Sequence, residues 1–176
     1  MKLSLEKFTE ADIGPLIAQI PDRRFLAQWA GTSFQWPLDE RQLRDHIEKA
    51  LSPETCMRVY KAVDARGKTL GHGEFTQIDS KNRSATLSRI LIFSSFRGQG
   101  LGREMVKQLL ETGFSGMNLH RISLHVFDFN ETAILCYKSL GFQKEGLLRH
   151  ARKVNDEYWN IIVMSILKTE FLPDRG

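Results

Sequence analysis

The chemistry most clearly written into this chain lies in Ile90-Leu91-Ile92-Phe93-Ser94-Ser95-Phe96-Arg97-Gly98-Gln99-Gly100-Leu101-Gly102-Arg103: an apolar run, a short turn and a predicted helix start. Glycines at such a turn let backbone approach a ligand closely, and the unpaired N–H groups and dipole of a helix start attract phosphate. The expected ligand is anionic. Two phosphate-binding patterns do not fit. A Walker loop requires G-K-[ST], whereas Gly102 is followed by Arg103-Glu104. A dinucleotide fingerprint requires G-x-G-x-x-G and an acid about 20 residues further on. Here the spacing is G-x-G-x-G, and His120–Leu124 contains no acid. A tight turn without a ligand is the remaining alternative at this point.

Other reactive side chains are few. His72 and Glu74 alternate with Gly71 and Gly73 and so share one strand face, predicted as an open floor beside a cleft or a solvated edge. His46, His120 and His150 have no metal-ligand spacing with one another, and no metal is expected. Cys56 and Cys136 are too few for a disulfide framework and are not spaced as C-x-x-C, so reduced thiols are expected. Cys136 adjoins Tyr137, but helix neighbours point about 100° apart, and the cysteine reads as a packing residue rather than a nucleophile.

The elements that must position these groups alternate along the chain. Residues 2–5 read as a half-buried strand, and Thr9-Glu10-Ala11-Asp12 as a capping box that opens a helix to about Ile20. Residues 21–37 read as irregular and aromatic-rich. A helix over Leu38–Leu51 then carries Leu43, Ile47 and Leu51 on one stripe and stops at Pro53. Strands over Met57–Asp64, Thr69–Asp79 and Arg83–Phe93 form a predicted antiparallel meander, the first two joined by a hairpin at Ala65-Arg66-Gly67-Lys68 and the third buried on both faces at Ile90–Phe93. A helix over Arg97–Phe114, a strand carrying Ile122, Leu124 and Val126, and a helix capped by Asn130 and stopped by Gly141 follow. Two strands, about 142–151 and 158–168, flank a turn at Asn155-Asp156. The class is α/β with a mixed sheet.

Two blocks carry a resemblance. Arg97-x-x-Gly100-x-Gly102 after an apolar strand, followed by Asn130-x-x-Ala133-x-x-x-Tyr137-x-x-x-Gly141-Phe142, resembles the acetyl-coenzyme A binding region of the GNAT N-acetyltransferase superfamily over about residues 89–142. The aromatic stretch Phe25–Pro37 and the helix after it resemble the branch containing ribosomal-protein N-terminal acetyltransferases. Ser94 stands where family members often carry proline, which removes no phosphate donor. The resemblance implies the GNAT acyltransferase fold, a mixed, mostly antiparallel sheet flanked by helices, with acetyl-coenzyme A as cosubstrate. Backbone N–H groups of Gly98, Gly100, Gly102 and Arg103 would cradle the pyrophosphate, within a loop that also holds Arg97, Gln99 and Leu101. Ile90, Leu91 and Ile92 would pair with the pantetheine arm as an added strand. A bulge would splay this strand from the next parallel one and leave a backbone N–H, assigned to Ile92, near the thioester oxygen. Asn130 would face the same cleft. Tyr137 would protonate the departing thiolate, as a phenol of pKa about 10 can do in a dry site; the alternative is a tyrosine that only completes the apolar stripe. Glu74 and His125 are the candidate bases. His125 lies five residues before Asn130, where similar relatives can carry a glutamate base, and an imidazole of pKa about 6.5 suits the task.

Composition sets the bounds on these readings. A chain of 176 residues and 20.2 kDa, 41% hydrophobic and 26% charged, is expected to form one N-acetyltransferase domain over 1–176. Its longest apolar run is five residues, Ala133–Tyr137, so no segment is expected to span a bilayer. Glu6, Glu10 and Asp12 occupy the place of a secretory apolar stretch, and a cytoplasmic setting is expected. The net charge of +4 comes from scattered basic residues, which suits an anionic small ligand rather than direct nucleic-acid binding. The activity read from these residues is transfer of acetyl to a primary amine, a protein N-terminus or a small amine, by a monomer or homodimer. A non-catalytic acyl-coenzyme A sensor is the alternative, and Tyr137 argues against it. With no secure base, weakly basic acceptors are expected to be preferred: an α-amine is about a tenth neutral at pH 7, a lysine amine about one part in 2,500.

Overall fold

Alternation and tight turns lay down the first half of the sheet. A computed structural model describes residues 3–52 and 54–171; Lys2 and Pro53, the predicted strand start and helix stop, lie outside them. Strands β1 (Leu3–Lys7), β2 (Arg58–Asp64), β3 (Thr69–Asp79) and β4 (Ser84–Ile92) pair antiparallel in that order. The β2–β3 hairpin lies where predicted. Asp64 Oδ1 closes it by accepting from the N–H groups of Arg66 at 2.8 Å and Lys68 at 3.0 Å. The chain then crosses over through α4 (Leu101–Glu111) to β5 (Arg121–Phe127), which is parallel to β4. After α5 (Glu131–Ser139) come β6 (Gln143–Val154) and β7 (Glu157–Leu167), giving the order β1-β2-β3-β4-β5-β7-β6 with one parallel pairing. This is the mixed, mostly antiparallel α/β sheet that was expected.

Strand β6 runs three residues past the predicted 151, and four differences at the helices are larger in kind. Thr9 N–H and hydroxyl both donate to Asp12 Oδ2, at 2.9 and 2.7 Å, but they open a 3₁₀ turn, Glu10–Asp12, before α1 (Ile13–Ile17). The stretch to Ile20 continues as tighter bonds, Gln19 N–H to Leu16 O and Ile20 N–H to Ile17 O, both 3.0 Å. Residues 23–30, predicted irregular, form α2 (Arg23–Ala30). Asp22 caps it by accepting from Phe25 N–H at 2.7 Å, and Leu26 and Ala30 turn inward at helical spacing. Helix α3 (Glu40–Leu51) starts after the Asp39 cap and buries Leu43 and Ile47, while Leu51 is exposed. Finally, α4 starts at Leu101 rather than Arg97, because Gly98 and Gly100 both sit at φ +75°, outside any helix, and a π-helical turn, Thr112–Gly116, follows it.

Each sheet face has its own core. Leu70, Phe75, Met105, Leu109, Ile122 and Met164 belong to the cluster beneath α4 and α5, and Leu16, Leu26, Leu43, Ile47, Leu91 and Phe93 to the one beneath α1–α3. Helix α4 packs directly on two glycines of β3. A Cβ at Gly71 would meet Met105 Sδ at 3.3 Å, besides the Leu91 carbonyl of β4 at 2.5 Å, and one at Gly73 would meet Met105 Cε at 2.9 Å. Among the described residues no helix is long and apolar enough to cross a membrane.

Candidate active site

Strand β4 loses a neighbour halfway along. It follows β3 over its whole length, but pairs with β5 only from Ser84 to Leu87, against Arg121 to Leu124. At that point the register with β3 slips from Glu74 opposite Ser88 to His72 opposite Leu91, leaving Arg89 and Ile90 together across from Gly73. Arg89 sits at φ +50° in this bulge. Beyond Leu124, β5 continues against β7 alone. The last five residues of β4 therefore keep an open edge in the middle of the sheet. Phe93 N–H donates to Leu70 O at 2.8 Å, so by strand alternation the N–H and carbonyl of Ile92 point the other way, into the gap. On that side Arg97 Nε donates to Ile92 O at 2.9 Å. Leu91 points into the α1–α3 core, while Ile90 and Ile92 are half-buried on the α4 side.

The glycine turn leads from this edge into α4. Space around Gly98 and Gly100 is open, so their positive φ, not crowding, is what a side chain would offend. Gly100 is the N-cap of α4. Leu101 is buried and anchors the helix to the core, leaving its backbone and that of Gly102 and Arg103 in the first turn, next to exposed Gln99. The Arg97 guanidinium lies 5.5 Å over the Phe25 ring. A helix start, two left-handed glycines and a strand edge not paired with β5 fit a ligand that joins a pyrophosphate to an extended, amide-bearing arm.

Beyond the end of β5, Asn130 caps α5, its Oδ1 accepting from Ala133 N–H at 3.4 Å. Two turns later Tyr137 is half-buried, its ring 5.7 Å from Phe142. Burial, with Cys136 beside it, pushes the Tyr137 hydroxyl up, so it stays protonated and able to donate. Burial also pushes the Cys136 thiol up, which disfavours a nucleophilic thiolate.

The predicted open floor at Glu74 is instead a sealed cage. Glu74 is 1% exposed and His72 is also 1% exposed, on the face covered by α1–α3. His46 Nε2, from α3, lies 3.0 Å from Glu74 Oε2; Arg89 Nη2 donates to the same oxygen, and His72 Nε2 is 3.3 Å from Oε1. Burial alone would raise the Glu74 carboxyl; the His46 hydrogen bond, His72 and Arg89 outweigh it and hold it at about 2. A carboxylate so held is a poor proton acceptor near neutrality. Burial pushes His72 down, and its Nδ1 lies 2.9 Å from Arg89 O, which also accepts from Trp29 Nε1 at 2.9 Å. Arg89, Trp29 and His46 thus hold the bulge. Only Arg89, a charge inside an otherwise apolar strand end, was a sequence signal for this.

His125 is exposed on β5 just past the point where β4 leaves it; partial burial, then Arg152, pushes its imidazole down. Phe127, two residues on, lines an open cleft of about 440 Å³ between α2 with its following loop and the β6–β7 turn. Phe34, Trp36, Arg23, Arg152 and Lys153 line it too.

An open central strand edge beside a glycine-rich helix start is the arrangement that suits coenzyme A, and it fits an acyl-coenzyme A-dependent transferase. The chain belongs to the acetyltransferase (GNAT) family, whose sequence pattern matches residues 23–142. It is an acetyl-coenzyme A-dependent N-acetyltransferase acting on amines. It is 32% identical over 133 residues to spermidine N(1)-acetyltransferase of Escherichia coli K12, covering 76% of this chain and 70% of that one. Its identity to the Vibrio cholerae spermidine N(1)-acetyltransferase is 27% over 151 residues, 86% and 84% of the two chains. The crystal structure of spermidine N-acetyltransferase from Vibrio cholerae with CoA and spermine superposes with a TM-score of 0.85 at 26% identity, over 96% of each chain. These relatives are named for spermidine and lend no support to the expected ribosomal-protein branch.

Proposed function

We propose that the enzyme acetylates a primary amine, a small molecule or a protein N-terminus, that enters the cleft at Phe127 and reaches the gap between β4 and β5. The observation that carries this reading is the parting of those strands beyond Leu87 and Leu124, with Phe127, further along β5, in the lining of the cleft. Acetyl-coenzyme A supplies an activated acyl carbon, and direct attack by the amine needs no acyl-enzyme. Gly98, Gly100, Gly102 and Arg103 offer backbone N–H groups to its pyrophosphate, and Ile90–Ile92 offer a strand edge to its arm. Ile92 N–H is the oxyanion donor and Tyr137 the acid for the leaving thiolate. Asn130 both caps α5 and borders the gap. Glu74 is a positioning residue that holds the Arg89 bulge rather than a base, and His125, two residues before Phe127 on β5, is the remaining candidate base. Two free cysteines fit a reducing, cytoplasmic setting.

A polyamine acceptor is the second reading, favoured by the names of the relatives above. Incubation with acetyl-coenzyme A and a panel of amines, following free thiol, tests the activity. Amine-dependent thiol release that drops about 10²-fold in Tyr137→Phe supports it; tight binding without thiol release would make the chain an acyl-coenzyme A sensor.

A further inference from the structure

The charges of the acceptor cleft are one-sided. Arg23 lies at the start of α2, and Arg152 and Lys153 lie at the end of β6; among the described residues no aspartate or glutamate lines the cleft with them. Neighbouring carboxylates are already engaged. Asp22 Oδ1 accepts from Phe25 N–H at 2.7 Å, Glu157 Oε2 from Arg24 at 2.8 Å and Trp159 Nε1 at 3.0 Å, and Asp128 Oδ2 from Asn160 at 2.7 Å. Asp156 lies beyond the lining, on the β6–β7 turn. Arg152 donates to a neutral carbonyl, Ala151 O, at 3.2 Å, and neither Arg23 nor Lys153 has an ion-pair partner among the described residues. Like charges held together without a counter-ion repel, and an anion placed among them relieves that repulsion.

Resting on the acceptor cleft proposed above, we infer that the preferred acceptor is an amine that also carries an anionic group, a carboxylate or a phosphate, next to an apolar portion that packs on Phe34, Trp36 and Phe127, and that a polycation is a poor acceptor. The same cations disfavour an ammonium beside them and so help present the amine in its neutral, nucleophilic form; the downward push of Arg152 on the His125 imidazole is that effect on a resident group. This offsets the lack of a strong base.

Matched acceptor pairs test the inference, with kcat/KM corrected to the neutral amine. Glycyl-phenylalanine is compared with its C-terminal amide, phosphoethanolamine with ethanolamine, and spermidine is run alongside. The expected result is an advantage of about tenfold or more for the anionic member of at least one pair, which also says whether carboxylate or phosphate is meant, with spermidine the poorest acceptor. Arg152→Glu with Lys153→Glu should abolish that advantage and improve spermidine; Lys153→Gln, a milder change, should reduce it, and Lys81→Glu on the distant β3–β4 turn should not alter the ranking. Anionic members no better than their neutral partners, or spermidine best and indifferent to the charge reversal, would overturn the inference while leaving the transferase reading intact. Acetyl-coenzyme A binding with no amine turned over would remove both.

Discussion

Along β4, the stretch Ser84–Leu87 and the stretch Ser88–Ile92 meet opposite surroundings. The first is hydrogen-bonded to β3 on one edge and β5 on the other, and Thr86 adds a 3.1 Å hydroxyl contact to Ser123 across the parallel pairing. The second keeps β3 alone, and its shape is set by side chains: Arg89 is held by Glu74 and Ser33, its carbonyl by Trp29 and His72. Backbone pairing maintains a closed sheet by itself, whereas an edge held open inside a sheet needs groups that replace the missing strand. Here those groups are a buried ion cluster on one face, and removing one member leaves an uncompensated charge.

The comparison can be broken most severely at Glu74. Glu74→Gln should lower stability by about 3–5 kcal/mol, measured by denaturant unfolding, because Arg89 would stay buried without its carboxylate. The pH dependence has a defined sign. A carboxyl held at about 2 in the folded state contributes fully above its ordinary range and loses that contribution as pH falls from about 4.5 towards 2. Glu145, paired with Arg121, titrates in the same window, so the readout is the acid-unfolding profile of the variant minus that of the wild type. Next in size, Tyr137→Phe should reduce kcat about 10²-fold, near 2.7 kcal/mol, with acetyl-coenzyme A affinity unchanged; an equal loss of affinity would make the ring a packing residue. Gly100→Val forces a β-branched residue to positive φ at the helix start and should weaken acetyl-coenzyme A binding more than about tenfold, roughly 1.4 kcal/mol, by calorimetry. The closed half should be the least sensitive. Ser123→Ala removes the hydroxyl contacts to Thr86 and Ala85 O from a strand whose ladder survives, and should cost about 1 kcal/mol or less with kcat preserved.

What could be read from the sequence was local. The glycine turn at Gly98 and Gly100 and the Asn130 cap of α5 declare themselves by short-range spacing, because a tight turn and a capped helix are each built from a few consecutive residues. The alternating strands and the Asp64 turn are legible for the same reason. Helix α2 was missed because its apolar positions, Leu26 and Ala30, are hidden among aromatics, although Asp22 was a usable cap signal. The cage was out of reach: Glu74 meets His46 from 28 positions away and Arg89 from 15, on three different elements. Glycines 71 and 73, read as marking an open floor, serve the opposite face, where α4 rests on them. The cationic lining of the cleft likewise joins Arg23 to Arg152 and Lys153, which no window of sequence contains together.

Residue-resolved amide hydrogen exchange, with and without acetyl-coenzyme A, tests the open strand edge directly. The Ser84–Leu87 stretch should be protected in both states, whereas the Ile92 amide, directed into the gap, should exchange quickly in the free enzyme and slow strongly when acetyl-coenzyme A binds. Tight binding that leaves Ile92 exchange unchanged would contradict the account.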